Sequence, residues 1–232
     1  MFTTRTTCFF YLKFYKMKVA LIGATGFVGS HILEELIHRN IEVTAIARDV
    51  ESLKNKAGVI AIQLNVNEAD QLSSILKGND AVISAFNAGW DNPNLYDDFL
   101  SGYRHILTEV EESGVKRLIV IGGAGSLLTD EGTRIVDGKD FPKAFKPGAL
   151  AAADFYEVLQ RENELDWTFF SPAIEMNKDT KGKRTGKYRT GMDHPVVDHE
   201  GHSRLSVQDL AVAIVDELEN NKFIKQRFTA GY

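Results

Sequence analysis

The sequence predicts an α/β protein: a doubly wound parallel sheet with helices on both faces and a small irregular lobe on the substrate side. Three observations carry this. Short apolar runs of strand length alternate with amphipathic helical patterns from residue 18 onward, the order a parallel sheet requires. Gly23, Gly26 and Gly29 follow the first apolar run at three-residue spacing, and a helical pattern opens inside them. The 232 residues, 44% hydrophobic and 25% charged, suffice for one domain with a sizeable core.

Each element has its own signal. Residues 19–22 are a continuous apolar strand, and a helix spans about 26–38. Residues 42–47 form the second strand, and Asp49 suits the N-cap of a short helix to residue 56. The third strand is 59–64, and a helix over 68–76 ends at Gly78. The fourth strand, 81–85, leads into a loop over 86–94 rich in Asn, Gly and Pro. A long helix over 95–113 stops at Gly114, and 117–121 is the fifth strand. Glycines at 122–125 break the chain. A helix over 149–162 and a sixth strand over 166–170 follow. Ser206 caps a final helix to residue 219, and Phe228 and Thr229 add a terminal strand. Residues 177–204 lack periodicity and read as an irregular substrate-side lobe within a single domain over 17–232. Residues 1–16 hold six aromatic residues and three basic ones, with no acid and no small-residue cleavage site. They read as a disordered tail or a mis-assigned start, with Met17 the natural one.

The glycine spacing points to a ligand. A first glycine permits a tight turn, a second lets a pyrophosphate approach bare backbone, and a third lets the helix pack close. The helix N-terminus then offers free N–H groups to the phosphates. Gly23, Thr25, Gly26, Phe27, Val28 and Gly29 are therefore dinucleotide-binding candidates. The composition narrows the rest. A net charge of -5 argues against nucleic acid as a partner. A single cysteine, Cys8, excludes an internal disulfide and a cysteine zinc site, and is consistent with a reducing cytoplasm. No apolar run reaches membrane-spanning length, so no membrane partner is expected.

The segment Gly23-Ala24-Thr25-Gly26-Phe27-Val28-Gly29 resembles the extended and atypical branches of the short-chain dehydrogenase/reductase superfamily. So do Asp80-Ala81-Val82-Ile83-Ser84, Leu165-Asp166-Trp167-Thr168 with Ser171-Pro172, and Ser206-Val207-Gln208-Asp209-Leu210-Ala211. The likeness covers residues 17–232. It is nearest to compact NAD(P)H-binding proteins, similar to NADH–flavin reductases, biliverdin-reductase-B-like proteins and small epimerase/dehydratase-like proteins. It implies a Rossmann-type sheet and a nicotinamide dinucleotide. The superfamily's Tyr-x-x-x-Lys pair is missing, because none of the seven tyrosines has a lysine four residues on. The resemblance then implies hydride transfer to an acceptor that needs little acid–base help.

Ligands of such a sheet sit outside the carboxyl ends of its strands, so candidates come from segments leaving strands. Arg48, after the second strand, suits the 2′-phosphate of NADP, where an acidic residue would select NAD. Asn65 and Val66 either frame the adenine or simply turn the chain. Ala85, Phe86 and Asn87 leave the fourth strand beside the expected nicotinamide ribose, with Phe86 equally suited to the core. Trp90 either stacks on a flat substrate or shields the core. Gly122, Ser171 and Pro172 complete the cofactor candidates. Ser126 stands where the family carries its active-site serine, and Tyr156 lies on the helix that lacks the pair; both are the catalytic candidates. His194, His199 and His202 match no metal-ligand spacing, so no metal is expected, while His194 remains a substrate candidate. Lys178, Lys181, Lys183, Arg184, Lys187 and Arg189 form either a solvated loop or a rim for anions.

The function expected is an NADPH-dependent reductase, able to use NAD, acting on a flat conjugated small molecule such as a flavin. The alternatives are a non-catalytic dinucleotide-binding redox sensor and an epimerase/dehydratase-like enzyme. A monomer or homodimer in the cytoplasm is expected.

Overall fold

The computed structural model describes residues 16–68, 71–178 and 182–232. The 1–16 extension lies outside them except for Lys16, as does Lys181 of the basic cluster. The strands are β1 (Lys18–Ile22), β2 (Glu42–Ala47), β3 (Val59–Gln63), β4 (Ala81–Ser84), β5 (Arg117–Ile121), β6 (Asp166–Ser171), β7 (Arg189–Gly191) and β8 (Gln226–Gly231). They form one sheet in the order β3-β2-β1-β4-β5-β6-β8-β7. Every pairing is parallel except β7 with β8. The chain order reverses at β1, which lies between β2 and β4, so the crevice for a ligand opens at the carboxyl end of that junction.

The helices are α1 (Phe27–His38), α2 (Leu72–Leu76), α3 (Leu95–Ser113), α4 (Lys146–Leu159) and α5 (Val207–Asn220). Side chains alternate between faces along each strand. Val19 and Leu21 join Leu33, Leu36, Leu210 and Ile214 in the core beneath α1 and α5. Ala20 and Ile22 join Tyr103, Phe155 and Phe169 beneath α3 and α4. With both faces covered, β5 is buried at all five positions, which is why, after Arg117, Leu118 to Ile121 read as an apolar run. Gly114 ends α3 in the left-handed conformation at φ 79°, and Ser206 caps α5 by accepting the Asp209 N–H at 3.0 Å.

Three expectations change. The helix over 49–56 is only a 3₁₀ turn at Glu51–Leu53, and α2 is five residues long. Neither segment has enough apolar residues to hold a longer helix on the sheet. The helix α4 begins at Lys146, three residues early, with Pro147 in its first turn.

The third change concerns 177–204, which is less irregular than expected. From residue 182 it wraps the β8 edge as a belt. Arg184 donates two hydrogen bonds to Glu35 of α1, at 2.7 and 2.9 Å. The N–H groups of Thr185 and Gly186 both donate to Asp209 at 2.8 Å, and the Tyr188 hydroxyl donates to Asp216. The chain then pairs as β7 along the end of β8 and reaches the loop after β5, where the Leu128 N–H donates to the Asp193 carbonyl at 2.8 Å. Arg184 is therefore a structural clamp and not a rim cation. Belt and α5 enclose a groove lined by Tyr188, Asp216, Phe223 and Phe228, and no residue of the glycine turn lines it.

Candidate functional site

The carboxyl edge begins with the turn over 23–29. Gly23 has φ +78°, and a Cβ there would lie 2.5 Å from the Ala85 carbonyl oxygen. Only glycine lets the end of β1 turn so close to β4. Gly29 packs α1 onto the turn itself, since its Cβ would lie 2.1 Å from the Gly23 oxygen. Gly26 differs. A Cβ there would meet only the Gly23 oxygen, at 3.2 Å, and its φ of -70° suits any residue. A side chain there is crowded by one backbone oxygen, far less than at Gly23 or Gly29. Gly26 is the N-cap of α1 and no side chain caps that end. The first-turn N–H groups of α1 therefore open onto an exposed surface formed by Thr25 and Gly26. Such an end carries partial positive charge and suits an anion, so the residues fit a dinucleotide pyrophosphate. Around it, Val28 packs against the α1–α5 core, and the Phe27 ring stands edge-on to His31 at 6.0 Å.

Arg48 is exposed at the carboxyl end of β2. Asn65 follows β3, and its side-chain oxygen accepts the Asn67 N–H at 3.3 Å. Val66 is 5% exposed and belongs to the core, so only its backbone faces outward. After β4, Ala85 continues the strand pairing through its N–H to the Ile22 carbonyl, 2.9 Å. The Phe86 ring goes to the core against Phe99 and Tyr103, each 5.8 Å away, and Gly102 of α3 leaves room for it. The Asn87 side chain turns the loop by accepting the Gly89 N–H at 2.8 Å.

The other half of the edge is made by side chains. The bare Gly122 accommodates the Phe169 ring, which a Cβ would meet at 1.9 Å. That explains this glycine by packing and not by ligand approach. Ser126 is 2% exposed; its hydroxyl donates to the Gly123 carbonyl or shares a 2.9 Å bond with the fully buried Ser171 hydroxyl. Pro172 is buried after Ser171, and Ile174 beyond it is exposed. Tyr156 lies ten residues into α4, about 15 Å along the helix from its start. Its ring packs on Trp167 and Phe169, with the Arg227 guanidinium 4.6 Å above it. Burial raises its hydroxyl above the ordinary tyrosine value, with Arg227 opposing. A phenol made less acidic is a weaker proton donor than an ordinary tyrosine, although its ring packs beside Phe169 and Arg227 close to the end of β5. His194 is exposed, with Nδ1 3.2 Å from the Leu128 carbonyl oxygen.

Trp90 remains at the surface, half-exposed, with its ring edge-on to Phe145 at 5.5 Å. Gly148 makes its seat: a Cβ there would lie 3.0 Å from the indole. This pair joins the loop after β4 to the N-cap of α4. Phe145 is that N-cap, and the first turn behind it runs Lys146-Pro147-Gly148-Ala149. Phe145, Gly148 and Arg227 had no role in the sequence reading, and Asp193 entered it only as a neighbour of the histidines at 194, 199 and 202. Pro147 is the signal that locates the first two, since proline favours the first turn of a helix. No local signal marks Arg227, whose contact with Ser126 spans 101 residues. No group of histidine, cysteine or carboxylate side chains among the described residues forms a metal site.

Comparison with known proteins agrees with this geometry. A family model described as NAD(P)H-binding matches residues 23–220. The protein YwnB of Bacillus subtilis is 37% identical over 215 residues, which is 92% of this chain and 97% of YwnB. A solved structure of a "putative epimerase" from Bacteroides thetaiotaomicron superposes with a TM-score of 0.86 at 42% identity, covering 94% of this chain and 98% of that one. A "putative NADH-flavin reductase" from Streptococcus pneumoniae does so with a TM-score of 0.80 at 36% identity, covering 93% and 99%. With its glycine turn, its reversal of strand order at β1 and this match over most of its length, the chain belongs to the NAD(P)H-binding family, in the manner of an atypical short-chain dehydrogenase/reductase.

Proposed function

We propose that the protein is a reductase that uses NADPH in preference to NADH and reduces a flat conjugated acceptor such as a flavin. The dinucleotide, when bound, supplies the hydride. The residues of the 23–29 turn hold its pyrophosphate, and Arg48 meets the 2′-phosphate with its planar donor fork. The segments at 65–66, 85–87, 122 and 171–172 line the rest of the cofactor's path. The observation that carries the acceptor class is the half-exposed Trp90–Phe145 pair, kept at the surface by Gly148. Exposed aromatic faces at a ligand edge suit a planar ring. The Trp90–Phe145 pair itself brings no acid–base group to the edge, which fits an acceptor that takes its proton from solvent. The cytoplasm is the compartment we assign, on the strength of a single cysteine. Among the described residues, no helix is long and apolar enough to cross a membrane.

The test is NADPH oxidation against a panel of flavins, quinones and tetrapyrroles. We expect turnover with at least one flat acceptor, reduced about tenfold or more in kcat/KM by Trp90→Ala, the scale of one lost aromatic contact. Dinucleotide binding without oxidation by any acceptor would favour a redox-sensing module instead. That second reading draws on the Ser126 hydroxyl, which is buried and already spent on Ser171. Turnover of a nucleotide sugar would favour the epimerase/dehydratase reading.

A further inference from the structure

We infer that Arg227, held by Asp193, is the positioning residue for the loop that follows β5, and through it for the acceptor side of the site. The inference rests on the reductase reading of that edge. Arg227 is 4% exposed and lies beside Phe169 in the β6–β8 register. Its guanidinium does three things at once. Nη1 donates to the Ser126 carbonyl at 2.5 Å. Nε donates to the Asp193 carboxylate at 3.1 Å, and Nη2 donates to the same oxygen. Its carbon stands 4.6 Å over the Tyr156 ring. Asp193 completes the grip with its own backbone, accepting the Leu128 N–H at 2.8 Å. The ion pair thus fastens the loop at Ser126, and the backbone of its carboxylate partner fastens it again at Leu128.

The held segment matters because of where it leads. The chain over 122–145 joins β5 to α4 and contains only two short 3₁₀ turns and one isolated bridge. Loops of that length in a compact domain usually serve a site. This one carries Ser126 at its start and Phe145 at its end. An arginine suits the task, since a planar fork meets a carbonyl and a carboxylate together, which an ammonium does poorly. A buried guanidinium is a weak source of stability, because desolvation offsets much of the attraction. Its value here is geometric: with no cation on α4 behind Tyr156, the acceptor side is set from the far strand, β8.

Three variants test this: Asp193→Asn, Arg227→Lys and the conservative Asp193→Glu. Asp193 is half-exposed, so Asp193→Asn folds even if Arg227→Lys does not. In Asp193→Asn, amide exchange at residues 126–128 should quicken about tenfold, the scale of one charge-assisted hydrogen bond, while α1 is unchanged. The acceptor KM should rise by about the same factor, with kcat and the dinucleotide Kd within about twofold. Asp193→Glu should restore most of both. Unchanged exchange at 126–128, or equal acceleration throughout the protein, would overturn the inference. So would equal losses of dinucleotide and acceptor binding. If the wild type reduces no acceptor, the reductase reading fails, while the exchange comparison still decides whether Arg227 holds the loop.

Discussion

Between β1 and β2 the ligand edge is bare backbone, made by three glycines within seven residues. Between β5 and β8 it is built from side chains that meet across 45 to 101 residues: Phe169 in the space of Gly122, Ser171 on Ser126, Arg227 on the Ser126 carbonyl. The first half is a strand, a turn and a helix in sequence, set between β2 and β4 by backbone contacts with Ile46 and Ala85. The second half exists only once β6, β8 and the belt have assembled. A backbone cradle recognises what every dinucleotide shares, its phosphates. A side-chain wall is where proteins of one fold come to differ in substrate.

The comparison can be broken first where the side-chain half is anchored at its amino end. Arg117 donates to Glu217 at 2.7 Å, and both are buried, so burial alone pulls the Arg117 guanidinium below its ordinary value while Glu217 opposes. Arg117→Met leaves Glu217 buried without its cation and should cost about 3–5 kcal/mol. Urea unfolding measures it. A loss below about 1 kcal/mol, the range of a surface pair, would mean that water reaches Glu217 and that the anchor is not dry.

The next effect belongs to the backbone half, at Arg48, the charge we propose for the 2′-phosphate. Arg48→Ala should weaken NADPH by roughly ten- to a hundredfold, the worth of a charge-assisted hydrogen bond of about 1.5–3 kcal/mol. NADH should change little. Paired titrations at fixed salt give both numbers. Equal losses for the two cofactors would show that Arg48 does not read the 2′-phosphate.

The smallest effect sharpens the role of the belt. Hydrogen bonding from Arg184, aided by Arg39 and opposed by burial, lowers the Glu35 carboxyl from 4.5 to about 2. A lowered folded value means that the clamp stabilises the protein above pH 4.5 and is lost as pH falls towards 2. The melting-temperature gap between wild type and Glu35→Gln should therefore be flat above pH 4.5 and close below it. A gap that persists to acid would remove the ion pair from the account.

What the sequence showed and hid follows the same division. The order of strands and helices was legible because a parallel sheet makes each strand an apolar run whichever neighbour it has, as in β5. The glycine turn was legible because its three glycines stand together in the sequence, although the need for the first is set by Ala85, 62 residues on. Phe86 was ambiguous because an aromatic after a strand serves core and ligand equally, and only Gly102 on α3 decides it. The strand β7, Arg-Thr-Gly, has no apolar residue, since it is an edge strand exposed at two of three positions. Arg227 was hidden because its partners lie 34 and 101 residues away and nothing in its own neighbourhood marks them.

The most direct test of the central claim, a dinucleotide held at the glycine turn, is calorimetry with NADPH on wild type and Gly26→Val. A Cβ at Gly26 would meet the Gly23 oxygen at 3.2 Å, a tight contact, so the variant should fold with a lowered melting temperature and affinity is compared on folded protein. The added side chain fills the surface to which the N–H groups of α1 open, so affinity should fall by about a hundredfold or more, about 2.7 kcal/mol. Wild-type affinity in a folded Gly26→Val protein would contradict the account, because the pyrophosphate could not then lie on this turn.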